Sequence, residues 1–380
     1  MSLPSVHRVG ITLQRGKDLP LGVFMFPKDF KNFDFKFLTL LILIYLFVPA
    51  ALSAAVIPPA HRPLIDSAVR YILECRFDDA ISITEKAYLS SSGGNDGKDG
   101  NLAAIAAVLH TAALGMRDVD FDTVVDAAAF AASYERSIAS IDKYEPHAAA
   151  ANSYTLTLRG FSLAMHSSFH LRRGSYLAAA GTGFDAIKIM KEAGRLDSTN
   201  TEVNFFLGLY DYTRAELRKR FWWVLFWYPG DKESGIRQLE AGKDGAAITG
   251  AACALALSDI YLKEKAPRRS RDIIYNMGRG LPDSRFVMWA EAKYREDQGM
   301  YGEAGRVFGR LADSYERERY GAYNAAVTRG KQAQMQSKAG ETAEAAKTCT
   351  YLIDRYGSSN DKRIAGVVSD VRKLLGKIGQ

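Results

Sequence analysis

The sequence predicts an all-α protein laid out as a linear array of antiparallel helix pairs, and three observations predict it. Apolar residues recur at helical spacing through the body of the chain, while no long run alternates apolar and polar residues as a strand would. Prolines number only 11 in 380 residues, and several stand where one helical stretch gives way to the next. A small residue opens the second helix of successive pairs at Gly235, Ser270, Ala304 and Ala345, in steps of 35, 34 and 41 residues. A chain this long exceeds one ordinary core, and an elongated array whose units bury their faces on one another accommodates it.

In chain order, residues 1–36 form a lead containing Lys28, Lys31 and Lys36, and residues 37–57 are an uncharged apolar run. Pro49 followed by Ala50, Ala51, Ser53, Ala54 and Ala55 reads as the end of a secretory signal cleaved near Ala55. The length would equally allow a retained membrane anchor. Met25 offers an alternative start with an ordinary charged leader. The expected product is exported, in the periplasm or outside the cell, or held at a membrane by an uncleaved 37–57.

Pro58, Pro59 and Pro63 mark a linker and a helix start. Leu64, Ala68 and Tyr71 share one helical face, and after a break at Arg76, Phe77, Ala80, Ile83 and Ala87 share another. Residues 90–101 read as a solvated loop whose acids do not follow calcium-loop spacing. Further pairs are expected at 102–116 with about 121–143, ended by Pro146, and at 147–172 with 176–193 through a turn at Gly174. Gly181 and Gly183 within the last helix are expected to permit close packing.

The carboxy-terminal half carries the most regular spacing. Tyr261 lies nine residues before Ser270, as Tyr71 lies nine before Ala80, and Pro282 stands where a second helix should end. Gly299, Tyr301, Ala304 and Phe308 form the pattern G-x-Y-x-x-A-x-x-x-F. The last copy keeps Gly340, Ala345 and Leu352 and has Thr342 at the aromatic position. These spacings resemble the tetratricopeptide repeat (TPR), a unit of about 34 residues with small side chains where its helices cross. The resemblance covers residues 60–358, closely over 250–358 and more loosely before. It implies an α-solenoid of six or seven TPR-like antiparallel helix hairpins closed by a C-terminal capping helix at 359–380. The parts are then hairpins over 58–195, a central hairpin with an insertion over 196–244, and repeats over 245–358. It also implies a concave groove that takes a protein or peptide partner.

Charge excludes one class of partner. The net charge is +7, but six Lys/Arg and three Asp precede residue 56; removing them from 50 and 43 leaves 44 basic against 40 acidic residues. A net charge of +4 over more than 300 residues is too dilute for a nucleic-acid footprint. Cys75, Cys253 and Cys349 are far apart and read as buried small side chains. His166 and His170 have the i, i+4 spacing of two metal ligands, but no glutamate follows the first and no third ligand can be nominated. Neither a GxSxG nor a phosphate-binding glycine loop is present, so no cofactor, metal or catalytic residue is expected.

Residues 205–239 hold the most unusual chemistry. A helical pattern with Arg214, Arg218, Lys219 and Arg220 runs into Phe221, Trp222, Trp223, Phe226, Trp227 and Tyr228, then a Pro229-Gly230-Asp231 turn. From Ala179 to Gly235 is 56 residues, about twenty more than one repeat period. The aromatic segment is expected either to bridge two repeats as core, to bind a partner through Tyr210, Arg214, Arg218, Trp222, Trp223 and Trp227, or to dock residues 221–228 on a membrane surface. Gly230 to Leu239, reading G-D-x-x-x-G-I-x-x-L, also resembles a segment of some TPR-containing families. The expectation is a non-catalytic interaction scaffold or adaptor in the cell envelope.

Overall fold

A computed structural model describes residues 59–92, 100–144, 152–220 and 230–378. Among them are fifteen α-helices and no strand: α1 (Arg62–Leu73), α2 (Phe77–Ser91), α3 (Gly100–Asp120), α4 (Ala127–Tyr144), α5 (Ser153–Arg172), α6 (Tyr176–Leu196), α7 (Asn204–Arg220), α8 (Lys232–Gly245), α9 (Gly250–Lys263), α10 (Pro267–Gly280), α11 (Arg285–Asp297), α12 (Tyr301–Glu316), α13 (Ala322–Lys338), α14 (Thr342–Tyr356) and α15 (Lys362–Ile378). The lead and apolar run at 1–57, most of the loop at 90–101, the Pro146 break and the aromatic segment with Trp222, Trp223 and Trp227 lie outside the described residues.

Helices adjacent in sequence pack together, and helices two apart also touch, as α1 does with α3, α3 with α5, α7 with α9, α9 with α11, and α13 with α15. This is the neighbour-on-neighbour packing of a repeat-like helical array, consistent with a solenoid. The turns repeat too. Five helices are followed by a residue in the left-handed region two positions before the next helix: Cys75 (φ 58°), Gly174 (73°), Lys265 (59°), Gly299 (71°) and Gly340 (81°). In each, the following amide reaches back five residues, as Arg76 does to the Tyr71 carbonyl at 2.8 Å and Met300 to Arg295 at 2.9 Å. That bond occupies a carbonyl which a helix end would otherwise leave without a partner.

Small residues at the crossings set how closely the helices approach. Ala80, Ser270, Ala304 and Ala345 are fully buried. A Cβ at Gly235 would lie 2.6 Å from the Gly208 carbonyl oxygen, so α7 and α8 cross where neither carries a side chain. Gly183 faces Ser167, where a Cβ would sit 3.1 Å from its Oγ; Gly181 meets nothing within 4 Å and has no packing role. All three cysteines are buried free thiols. The helix Asn101–Asp120 is apolar enough in composition to cross a membrane, yet it is largely buried within the fold.

Two helix starts differ from expectation. α5 begins at Ser153, because the Asn152 side chain accepts the Thr155 amide and Thr155 caps back. α4 begins at Ala127 rather than near 121, for a local reason. The Asp118 carboxylate accepts the Val125 amide at 2.9 Å, Asp122 adopts φ 49°, and Asp126 accepts the Ala129 amide at 2.9 Å, so residues 121–126 form a turn.

That turn ties the beginning of the array to its end. Asp120, at the end of α3, is buried and accepts Arg285 Nε at 2.8 Å and Nη2 at 2.5 Å on one oxygen, and Tyr315 OH at 2.9 Å on the other. Asn324 donates to the Asp120 carbonyl at 2.7 Å, and Arg363 to the Asp122 carbonyl at 2.8 Å. Phe121, buried, packs edge-on against Phe77 and Tyr315 and tilted against Tyr320, at 6.3, 6.4 and 6.0 Å between ring centres. Arg285, Asn324 and Arg363 stand in the first turns of α11, α13 and α15, and both steps are 39 residues (324 less 285, 363 less 324). The first turns of three helices, α11, α13 and α15, thus hold one turn of the same chain.

Candidate functional site

The joint between α6 and α7 is fixed from below by buried polar groups. Asn200 donates to Ser153 Oγ at 2.7 Å and Thr157 Oγ1 at 2.8 Å. Glu202, buried, accepts the Ala247, Ile248 and Thr249 amides at 2.6, 2.8 and 2.9 Å, holding the segment that leads into α9. Burial pushes the Glu202 carboxyl upward against the pull of those amides. The Ser167 hydroxyl donates to the Ala179 carbonyl at 2.7 Å, pinning the start of α6 to α5.

On this support, α6 buries Ala179, Ala186, Met190 and Ala193 and turns other residues outward. Leu177 is 92% exposed, Tyr176 59% and Phe184 58%. Lys188, Lys191 and Arg195 follow on the exposed surface. Phe184, Ile187, Lys188, Lys191, Glu192, Arg195 and Tyr210 line an open depression of about 510 Å³. Arg195 forms a two-pronged pair with Glu192, at 2.8 and 2.6 Å.

Of the residues singled out in the sequence, Tyr210 and Arg214 are brought together. The Lys191 ammonium and the Arg214 guanidinium each lie 4.9 Å from the Tyr210 ring centre, a cation–aromatic arrangement joining α6 to α7. Arg214 also lies 4.0 Å from Asp211. Arg218 is exposed one turn further along, with Lys219 beside it. Trp222, Trp223 and Trp227 fall outside the described residues.

His166 and His170 do face each other, with ring centres 4.2 Å apart, and His166 also stacks on Tyr134 at 4.0 Å. Burial, with the neighbouring His170, lowers the His166 pKa to about 4. Among the described residues no group of three metal-ligating side chains converges there or elsewhere. Two other displaced titratable groups, His110 and Asp118, sit at structural joints. His110 is held neutral, at about 4, by burial and by Arg136, whose guanidinium pairs two-pronged with Glu85 at 3.0 and 2.6 Å. Burial raises Asp118 to about 6 where it caps the α3–α4 turn.

Leu177, Phe184, Lys188 and Lys191 escaped the sequence reading, which treated α6 as a packing helix. The signal was available in its small-residue stripe. Where Ala179, Ala186, Met190 and Ala193 form the crossing side, Leu177 and Phe184 fall on the opposite side and are largely exposed.

Comparison with protein-family models, curated proteins and solved structures finds no match to this chain.

Proposed function

We propose that this chain is a TPR-like α-solenoid of seven helical hairpins, α1–α2 through α13–α14, capped by α15, and that it works as a non-catalytic interaction scaffold or adaptor in the cell envelope. The observation that carries the binding reading is the α6–α7 surface, where Tyr210 lies between Lys191 and Arg214 beside an open depression. Tyrosine and arginine concentrate binding energy at protein interfaces because they bring large contact area and directed polar groups together. Export rests on the sequence of residues 37–57.

The partner in this reading is a protein or peptide. The first turns of α11, α13 and α15 already hold Asp120, Phe121 and Asp122 of the same chain, which favours the outward α6–α7 face over that end of the array as the place of contact. Chemical cross-linking in intact envelopes, followed by capture of the full chain, tests it. The Tyr210→Ala/Arg214→Glu variant should lose a protein that the wild type retains. An unchanged set of cross-linked proteins would remove this face from the account.

A further inference from the structure

We propose that the outward stripe of α6 docks this protein on an anionic lipid surface. Leu177, Gly181, Phe184, Lys188, Lys191 and Arg195 follow one another at intervals of 4, 3, 4, 3 and 4 residues, the spacing of a single helix face. They lie opposite the side on which α6 is buried. Eight large apolar side chains are exposed among the described residues; four belong to α6, and two of these, Leu177 and Phe184, lie on the stripe, while Tyr176 and Leu196 stand at the ends of the helix. The others, Leu89, Tyr275, Tyr320 and Tyr351, stand singly on separate elements.

The chemistry along the stripe is ordered. Its first half is apolar and its second half cationic. Glu192 is engaged by Arg195, which leaves Lys188 exposed and Lys191 exposed beside the Tyr210 ring, with Asp185 as the exposed acid on the flank and Arg173 exposed in the preceding turn. An interfacial helix presents this combination: leucine and phenylalanine enter the boundary between headgroups and acyl chains, while lysines reach the phosphates on flexible stems. Phe184, Lys188, Lys191 and Arg195 border the open depression beside Tyr210, while Leu177, 92% exposed, stands outside it and projects from the first turn of the helix. Charge complementarity with anionic headgroups therefore selects lipid, and a retained 37–57 run, the alternative to cleavage, would hold the chain at the same surface.

The test uses the full chain with Leu177→Cys carrying an environment-sensitive fluorophore; the native cysteines are buried, which directs the label to the new site. Tyr275→Cys on α10, also exposed, is the control and carries the same 37–57 segment. With phosphatidylglycerol-rich vesicles the label at 177 should shift to the blue and be quenched by spin-labelled lipid, while the label at 275 stays aqueous. Lys188→Glu/Lys191→Glu should weaken the response at 177 by about tenfold or more. The proposal is overturned if label 177 remains aqueous on these vesicles, if both labels respond alike, or if the charge reversal changes nothing. It is equally overturned if label 177 responds to lipid-free envelope proteins and not to vesicles, since the stripe is then a protein interface. Docking does not rest on the scaffold reading: Tyr210→Ala/Arg214→Glu tests partner capture with the stripe intact.

Discussion

Replacing Asp120 with alanine should unfasten the beginning of the array from its end. The carboxylate accepts three hydrogen bonds from Arg285 and Tyr315, and both it and Arg285 are buried. Burial pushes the Asp120 carboxyl upward, and burial also opposes the Arg285 charge, yet Asp120 beside it lifts the guanidinium above its ordinary value. Removing Asp120 leaves that guanidinium with Glu318 at 2.9 Å, a partially exposed partner, and Ser314 at 3.2 Å. Breaking one side of a buried ion pair costs about 3–5 kcal/mol, far more than loss of a surface pair. Urea unfolding followed by circular dichroism and tryptophan fluorescence measures it. The midpoint should fall, and the two signals should separate, because an unfastened array unfolds unit by unit. Asp120→Ala/Arg285→Met should recover part of the loss, since no buried charge is then left alone. A loss below about 1 kcal/mol, the size of a surface pair, would refute the reasoning.

Three further outcomes follow from the same geometry. Lys265→Gly should stabilise the chain by about 1 kcal/mol and Gly299→Ala destabilise it by about as much, since both positions hold positive φ in equivalent turns; chemical denaturation reads both. Gly235→Ala should cost about 2–3 kcal/mol, because its Cβ would meet the Gly208 carbonyl at 2.6 Å; a thermal shift that matches the wild type would contradict the crossing. The His110 contribution to stability should be lost as pH drops from about 6.5 towards 4, because His110 stays neutral when folded and takes up its proton in the unfolded chain, while Asp118, raised to about 6, acts in the opposite direction. The loss attributable to His110 is on the order of 2–3 kcal/mol, and His110→Gln should remove that loss over the same window.

Much of the fold was legible because its determinants are local. Gly174, Gly299 and Gly340 announce left-handed turns, and small residues at Ala80, Ser270, Ala304 and Ala345 announce crossings. Cys75 and Lys265 adopt the same turn without a glycine, so only the repeat period could have located them. The Asp120–Arg285 pair spans 165 residues and leaves no local pattern. The regular 39-residue step from Arg285 to Asn324 to Arg363 is its one trace, and it joins residue types with no common side chain. Of the candidate site, Tyr210 and Arg214 were legible as aromatic and basic residues in an unusual stretch. The outward stripe was not, because Leu177 and Phe184 have core chemistry and only the packing of Ala179 and Ala186 shows which way they turn.

Closure of the array decides which surfaces are open to a partner, and one cross-link tests it directly. Tyr320, partly exposed and 6.0 Å from Phe121 between ring centres, can be replaced by p-benzoylphenylalanine with little cost to packing. Irradiation of the dilute full chain, followed by peptide mass spectrometry, should join position 320 to the peptide containing Phe121 within one molecule. Cross-links confined to α12 and α13, or formed only between molecules, would contradict a closed array and return the inner face to the search for a partner.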